Sequence, residues 1–468
     1  MLAVVLVAAV LLSLQLLVPP VIGLANNGDF ERVMGPVGFQ YLTQEPAEKY
    51  FYWINTKFAY APAGWYSSGL ITSELILARV ARAAAVPFSS DGPFDIRVLG
   101  VVHILLLLAG LGFLASGMAP LPRPAQWVGA VLLVLVFTDV GYAAPLNSFY
   151  SQAASLLFLL LTLGVLARWV ARPGPDPRFA VPFFLFAGLF VLSKPQEAIQ
   201  APLLALAGLR LAMAGEGRAK APWRLAPVAG AVLLCVLGAW YYRQTPPEIA
   251  DVARYHKVFM ELLPDSPDPG QDLADLGLDP SWTTAIGKTA YGPASPFHEA
   301  AFRAAFLERF SYGRLARFYL THPARLSSAI RRGGLAALRL RHPRFGNFER
   351  SAGFPPGTRT RTFAWWSDGR LALPGHPLVW IGLLLLANAI AIGATYGRAS
   401  PAGRLAREAI VLLMAMAATA FAVCVLSNAH ADLARHFYVF HALCDLVVIA
   451  DAVWAASRLS VPSRAPAS

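Results

Sequence analysis

The chain has 468 residues, of which 56% are hydrophobic and only 14% charged, with a formal net charge of +12; an ordinary soluble domain carries about a quarter charged residues. This composition excludes a cytosolic enzyme, a coiled coil and a disordered tail. The three cysteines, Cys235, Cys424 and Cys444, fall inside apolar runs without CxxC spacing, so they read as small hydrophobes and offer neither a disulfide framework nor a thiolate zinc site.

The apolar runs are each about 15 to 25 residues long, enough to cross a ~30 Å hydrocarbon layer as helices, and lack the alternation of a membrane barrel. In chain order they predict spans near 3–24, 98–117, 126–143, 150–167, 179–193, 197–213, 225–242, 377–396, 408–427 and 436–456. The segments after every second span carry Arg123; Arg168, Arg172 and Arg178; Arg210, Arg218, Lys220 and Arg224; Arg398, Arg404 and Arg407; Arg458 and Arg464. Against these stand only Asp176, Glu216 and Glu408. Cation-rich short loops lie on the cytoplasmic side, which sends the long polar segments 25–97 and 243–376 outward. The first span reads as a retained helix. A signal peptide cut near Gly23-Leu24-Ala25 is the alternative, but its apolar core would be shorter.

Beyond the first span stands Asn26-Asn27-Gly28-Asp29-Phe30-Glu31-Arg32. A carboxylate beside a low-dielectric wall can act as a general base, so Asp29 is a catalytic candidate. The plainer alternative is a polar helix stop capped by Asp29, and Glu31 is expected to pair with Arg32. Residues 67–86 place Leu70, Leu75, Ile76 and Val80 on one face and predict an interfacial amphipathic helix. The turn from Thr138 to Gln152 gathers Asp139, Tyr142, Asn147, Tyr150 and Gln152. Its hydrogen-bonding groups suit sugar hydroxyls or a phosphate, although helix capping by Asn147 or Ser148 explains part of it.

Ser193-Lys194-Pro195-Gln196-Glu197 puts a lysine at membrane depth, where ionisable groups are functional candidates; an ion pair with Glu197 or Asp139 is the structural alternative. Segment 243–376 begins Pro/Asp-rich, then shows helical periodicity over 298–340 with Pro323 suited to a helix start. Within it Arg339, Arg341, His342, Arg344, Arg350, Arg359 and Arg361 mix with Phe345, Phe348, Phe363, Trp365 and Trp366. Docking on anionic lipid is the simpler account, and a place over the site is the alternative. The last outer loop ends Asp432-Leu433-Ala434-Arg435-His436, and His441 and Asp445 follow on one helix face. Asp451 reads as structural.

Several signatures fail. Trp282 stands where a phosphate loop ending Gly287-Lys288-Thr289 needs its first glycine, Phe302 replaces the second histidine of a zinc-protease motif begun at His298-Glu299, and no G-x-S-x-G occurs.

An acid just past the first span, a long first outer loop, many spans and an outer domain together resemble the GT-C superfamily of membrane glycosyltransferases. The phrases NNGDFERV, DVGYAAPLNSFYSQ, SKPQ, YHKVFMELLPDSPDPGQDLADLGLD and GNFERSAGFPPG are similar to bacterial membrane proteins described as surface-glycan hexose transferases. The resemblance implies an all-α polytopic membrane protein of about ten transmembrane helices, with amphipathic helices in the first outer loop and a small, mostly helical extracytoplasmic domain. Its expected parts are 1–242 (first outer loop 25–97), 243–376 and 377–468.

It further implies transfer of a hexose from a polyprenyl-phosphate donor to an acceptor hydroxyl of a surface glycan or lipid, with inversion, at the outer face of the plasma membrane. By position Asp29 is then the general base. Lys194, Arg435 and His436 meet the donor phosphate. Glu31, Asp139, Tyr142, Asn147, Tyr150, Gln152, Gln196, His256 and Asp432 are candidates for the sugar or acceptor. Two departures stand out: family members with two adjacent acids differ from Gly28-Asp29-Phe30-Glu31, and a glutamate is frequent where Gln152 stands. No D-x-D occurs in the first loop, so no metal or other cofactor is expected. The partners are the lipid donor, the glycan acceptor and membrane lipids, with no nucleic acid. The alternatives are a transporter or flippase for lipid-linked glycans, which usually shows repeated halves that this sequence lacks, and an acyltransferase using His441.

Overall fold

The computed structural model describes residues 2–88, 92–173, 176–214, 221–427 and 433–460. Helix dominates, and six described helices are long and apolar enough to cross a membrane: Ile96–Gly117, Gln152–Val170, Leu225–Arg243, Pro377–Thr395, Pro401–Ser427 and Tyr438–Leu459. A seventh arises if Arg123–Phe137 and Val140–Asn147, bent by 60° at their break, count as one span, and Ala3–Leu16 and Arg178–Val191 are shorter apolar helices.

The runs that differ from their expected spans do so where the backbone breaks. The first helix is Leu2–Leu16, not 3–24, because Pro19 and Pro20 cannot donate the amide hydrogens a helix needs. The third breaks at Asp139, whose extended backbone starts a new helix and whose side chain accepts from Gly141 N–H at 2.7 Å. A break at this depth has to satisfy its own polar groups, and the freed Thr138 carbonyl accepts from Gln15 Nε2 at 2.8 Å. After Arg178–Val191 the chain turns through Lys194 into a 3-10 turn, Glu197–Gln200, and then the helix Ala201–Met213.

Five short strands sit among the helices: β1 (Ile22–Leu24), β2 (Phe39–Tyr41), β3 (Lys57–Tyr60), β4 (Phe94–Asp95) and β5 (Phe345–Phe348). β2, β3 and β4 form an antiparallel sheet in that order. β1 pairs antiparallel with β5, with Ile22 opposite Phe348 and Leu24 opposite Phe345. Ile54 also bridges to Glu349, so the two long polar segments meet.

The amphipathic helix of the first segment is Glu74–Ala85, shorter than expected and turned differently. It buries Leu75, Leu77, Ala78 and Ala81, leaving Ile76 and Val80 exposed. Glu74 anchors it: Oε1 lies 3.0 Å from His103 Nε2, and Oε2 accepts from Ala154 N–H at 3.1 Å. In the second segment Pro323 opens the helix Pro323–Ala336, as its position predicted. Part of the basic and aromatic run is folded against protein, while Arg339, Arg350, Arg359, Arg361 and Trp365 stay exposed. Arg341 donates to Thr360 O at 2.7 Å, the Arg344 guanidinium lies 5.4 Å from the Phe51 ring centre, Arg350 pairs with Glu48, and Trp365 Nε1 donates to Leu135 O at 2.6 Å.

Candidate active site

Asn26 builds the first wall. It is 1% exposed, and its Oδ1 accepts from the backbone N–H groups of Gly28, Asp29 and Phe30 at 2.9, 3.1 and 3.1 Å. A short side chain that bonds its own following backbone closes a turn without help from a helix or sheet, and Gly28 takes the positive φ of 106° that the turn requires. Asp29 leaves this turn between two guanidiniums, with Arg32 Nη1 at 2.9 Å and Arg435 Nη1 at 2.7 Å. The Arg435 guanidinium also lies 5.0 Å from the centre of the Tyr150 ring, and the Tyr150 hydroxyl accepts from Asn27 N–H at 3.1 Å.

Arg32 thus pairs with Asp29 and not, as expected, with Glu31. Residues three apart share a helix face, which adjacent ones do not. Glu31 accepts instead from the Tyr50 hydroxyl at 2.9 Å and from Asn26 Nδ2 at 3.3 Å. Burial and this carboxylate push the Tyr50 hydroxyl up to about 12.

The facing wall comes from two turns. Gln196 donates to the His436 carbonyl at 3.1 Å and to Glu197 Oε1 at 2.7 Å, and its Oε1 lies 3.0 Å from His436 Nδ1. Lys194 stands beside this tie. Glu197 is its main counter-charge and Arg435 a like-charged neighbour, and burial lowers its pKa below the usual lysine range.

These residues border a cavity of about 550 Å³, whose polar lining includes Asp29, Arg32, Tyr150, Gln152, Lys194, Gln196, Arg243, Arg254, Arg435 and His436. Leu70, Ile199, Ile249, Ala253, Val423 and Leu426 line it too. Such a volume suits a small-molecule ligand, and the mixed lining suits one with both anionic and apolar parts. Among the described residues no three His, Cys, Asp or Glu side chains stand together as metal ligands.

Several candidates lie elsewhere. Asp139 is fully buried and accepts from the N–H groups of Gly141, Trp366 and Ser367 at 2.7 to 3.0 Å, so it caps two helix starts. Asn147 donates to the Leu16 and Ile22 carbonyls at 2.8 and 3.0 Å, tying the first helix to β1; a Cβ on Gly100 would collide with its side chain. Tyr142 donates to Asp445 Oδ2 at 2.6 Å inside a buried cluster with Arg370 and His441. His256 Nε2 accepts from Ala290 N–H at 2.8 Å, and Glu31 is held as above. None of these five lines the cavity. Asp432 lies outside the described residues. Asp451 accepts from Asn388 Nδ2 at 2.8 Å, a structural partner that is an amide and not the cation expected. Asn26 and Arg32 went unrecognised. For Arg32 the spacing from Asp29 was a usable signal, and for Asn26 the Asn-x-Gly turn pattern.

Apolar helices of spanning length with a polar cavity at one end define a multi-pass membrane protein. Residues 1–465 match the family model of the YfdI N-terminal transmembrane domain, and the chain belongs to that family. No curated protein matches. Among solved structures it is similar to the archaeal oligosaccharyltransferase AglB from Archaeoglobus fulgidus in complex with an inhibitory peptide and a dolichol-phosphate, with 15% identity and a TM-score of 0.40 over 100% of this chain and 52% of that one. It is similar too to the Archaeoglobus fulgidus oligosaccharyltransferase in the apo form, at 15% identity and a TM-score of 0.40, covering 95% of this chain and 50% of the other. The chain spans about half the length of these structures.

Proposed function

We propose that this protein is a GT-C-type membrane glycosyltransferase that moves a hexose from a polyprenyl-phosphate donor to a hydroxyl of a surface glycan or glycolipid. The observation that carries the reading is Asp29, set between Arg32 and Arg435 at a cavity lined by further cations and by apolar side chains. The lipid lies along apolar side chains such as Leu70, Ile199 and Leu426, and its phosphate against Lys194, Arg435 and His436. Asp29 accepts the acceptor's hydroxyl proton while that oxygen bonds to the anomeric carbon. The bond from that carbon to the phosphate oxygen breaks, its electron pair stays on the phosphate, and the cations stabilise the resulting charge. Attack opposite the leaving group inverts the centre. In this reading Tyr150 and Gln152 bond sugar hydroxyls, and Gln196 does so by exchanging its bonds to Glu197 and His436.

In this reading the shorter and bent apolar helices complete a set of about ten spans. Segments 25–97 and 243–376 then face the extracytoplasmic side of the plasma membrane, between transmembrane parts 1–242 and 377–468. The reaction uses side-chain cations and needs no metal, which excess chelator in the assay tests. Purified protein should transfer radiolabelled hexose from a synthetic polyprenyl-phosphate donor, or slowly hydrolyse that donor, and Asp29→Asn should do neither while remaining folded. Equal activity in the variant would remove Asp29 from the mechanism. No turnover over a panel of donors would turn the reading toward transport of lipid-linked glycans.

A further inference from the structure

Two of the helices that border the Asp29 cavity border a second one further along. In the helix Gln152–Val170, Gln152 lines the first cavity, whereas Leu166 and Val170 line another of about 340 Å³. In the helix Pro401–Ser427 the same division falls between Leu426 and Leu412. Either pair is about 14 residues apart, or about 21 Å along a helix that rises 1.5 Å per residue. Gln200 Nε2 donates to Met416 O at 3.0 Å, and Gln200 stands in the chain between Ile199 of the first cavity and Leu203 of the second. The two cavities are thus separate levels of one set of helices.

The lining of the second cavity is apolar except for Arg210 and Glu408. Leu206 and Val411, which line it, are 65% and 48% exposed, so it opens on the outer surface of the helices. Around membrane-spanning helices that surface meets hydrocarbon, and the natural occupant of an apolar slot there is a lipid chain. The charges beside the slot say which lipid. Arg210 and Glu408 pair through two contacts, Nε to Oε2 at 2.9 Å and Nη2 to Oε1 at 3.0 Å. The Tyr396 hydroxyl donates to the same carboxylate at 2.6 Å, and the Arg404 guanidinium lies 6.0 Å from the Tyr396 ring centre. The pair cancels its own charge, and Arg404 adds a positive surplus. The Arg210 side chain is 46% exposed, and a guanidinium has five N–H donors, more than this pairing uses. Tyrosine and arginine at the ends of apolar helices are residues of the headgroup layer, and basic pockets between such helices bind anionic headgroups.

We propose that this second cavity binds one anionic phospholipid, with an acyl chain between the helices Gln152–Val170, Ala201–Met213 and Pro401–Ser427 and its phosphate on Arg210 and Arg404. The site does not depend on the glycosyltransferase reading. Its lipid braces helices that also border the Asp29 cavity.

The test uses the full chain in detergent, stripped of lipid and titrated with phosphatidylglycerol or with phosphatidylcholine of the same acyl chains. Bound lipid is counted by native mass spectrometry and the melting temperature is recorded. Wild type should bind one phosphatidylglycerol about tenfold more tightly than phosphatidylcholine, the worth of one charge-assisted contact, and should melt higher with it. Arg404→Gln, which breaks no ion pair among the described residues, should remove that preference. Ala207→Trp and Ala409→Trp fill the slot from different helices, and each should lose both the lipid and the thermal gain. Equal binding of the two lipids by wild type, or a preference that survives Arg404→Gln, overturns the proposal, as does undiminished binding in both tryptophan variants. Should those variants fail to fold, wild type decides alone: phosphatidylglycerol with a photoreactive acyl chain should label the peptides that carry Leu206 and Val411, and labelling elsewhere only rejects the site.

Discussion

Two carboxylates of this chain have the same company and different surroundings. Asp445 is met by Arg370 at 3.1 Å and by the Tyr142 hydroxyl at 2.6 Å; Asp29 is met by Arg435 at 2.7 Å, with Tyr150 beneath the guanidinium. The Asp445 side chain is 4% exposed and that of Asp29 19%. Arg370 spends its other donors on the Ala337 carbonyl and on His441 Nδ1, at 3.1 and 2.9 Å, so the buried cluster is closed on itself. Arg435 instead borders a cavity that Lys194 also faces. Residue types do not separate a buried strut from a group that borders a cavity. The space beside them and the surplus of positive charge do.

That contrast can be broken most severely at its two acids. Asp29→Asn should lower hexose transfer by about 10²- to 10⁴-fold, the usual contribution of a general base, with the melting temperature in detergent unchanged; a large loss of stability would make Asp29 a strut like Asp445. Arg370→Met should do the reverse. Leaving Asp445 buried without its cation costs about 3–5 kcal/mol, read as a fall in melting temperature and in yield, and wild-type stability in this variant would deny the cluster its structural role.

Smaller changes sharpen the comparison. Burial holds the Lys194 ammonium below the ordinary lysine range, so its charge is present at low pH and is lost, as pH rises, sooner than that of an exposed lysine. Donor KM should therefore rise with pH, Lys194→Arg should flatten the profile, and Lys194→Gln should raise KM about tenfold, the worth of one charge-assisted contact. A pH-independent KM in wild type would take Lys194 away from the phosphate. Least of all, Asn147→Ala should cost about 1–3 kcal/mol of stability by leaving the Leu16 and Ile22 carbonyls without its donor, and transfer by the folded fraction should persist.

Asp29, Lys194, Arg435 and His436 could be read from the sequence because each is a polar residue at the end of an apolar run, where water-free surroundings make charge conspicuous. The same rule overreached for Asp139, Tyr142 and Asn147. Helices that break inside an apolar layer must bond their own freed backbone groups, and the side chains that do this look the same in sequence as ones awaiting a ligand. The breaks themselves escaped hydropathy, which averages over Pro19-Pro20 and over Asp139. Arg370 left no local trace, since it finds its acid 75 positions later. The basic and aromatic run around Arg344 read as a lipid anchor because composition does not say what a guanidinium covers; here it covers Phe51.

Asp29 and Arg435 lie 406 positions apart along the chain, and β1 waits almost as long for β5. At a synthesis rate of about 5–20 residues per second, the carboxylate leaves the ribosome roughly 20–80 s before its arginine is made. Asp29 therefore has Arg32 beside it from the start and gains Arg435 only near the end of translation, so a message cut short yields a chain in which that carboxylate keeps one of its two cations.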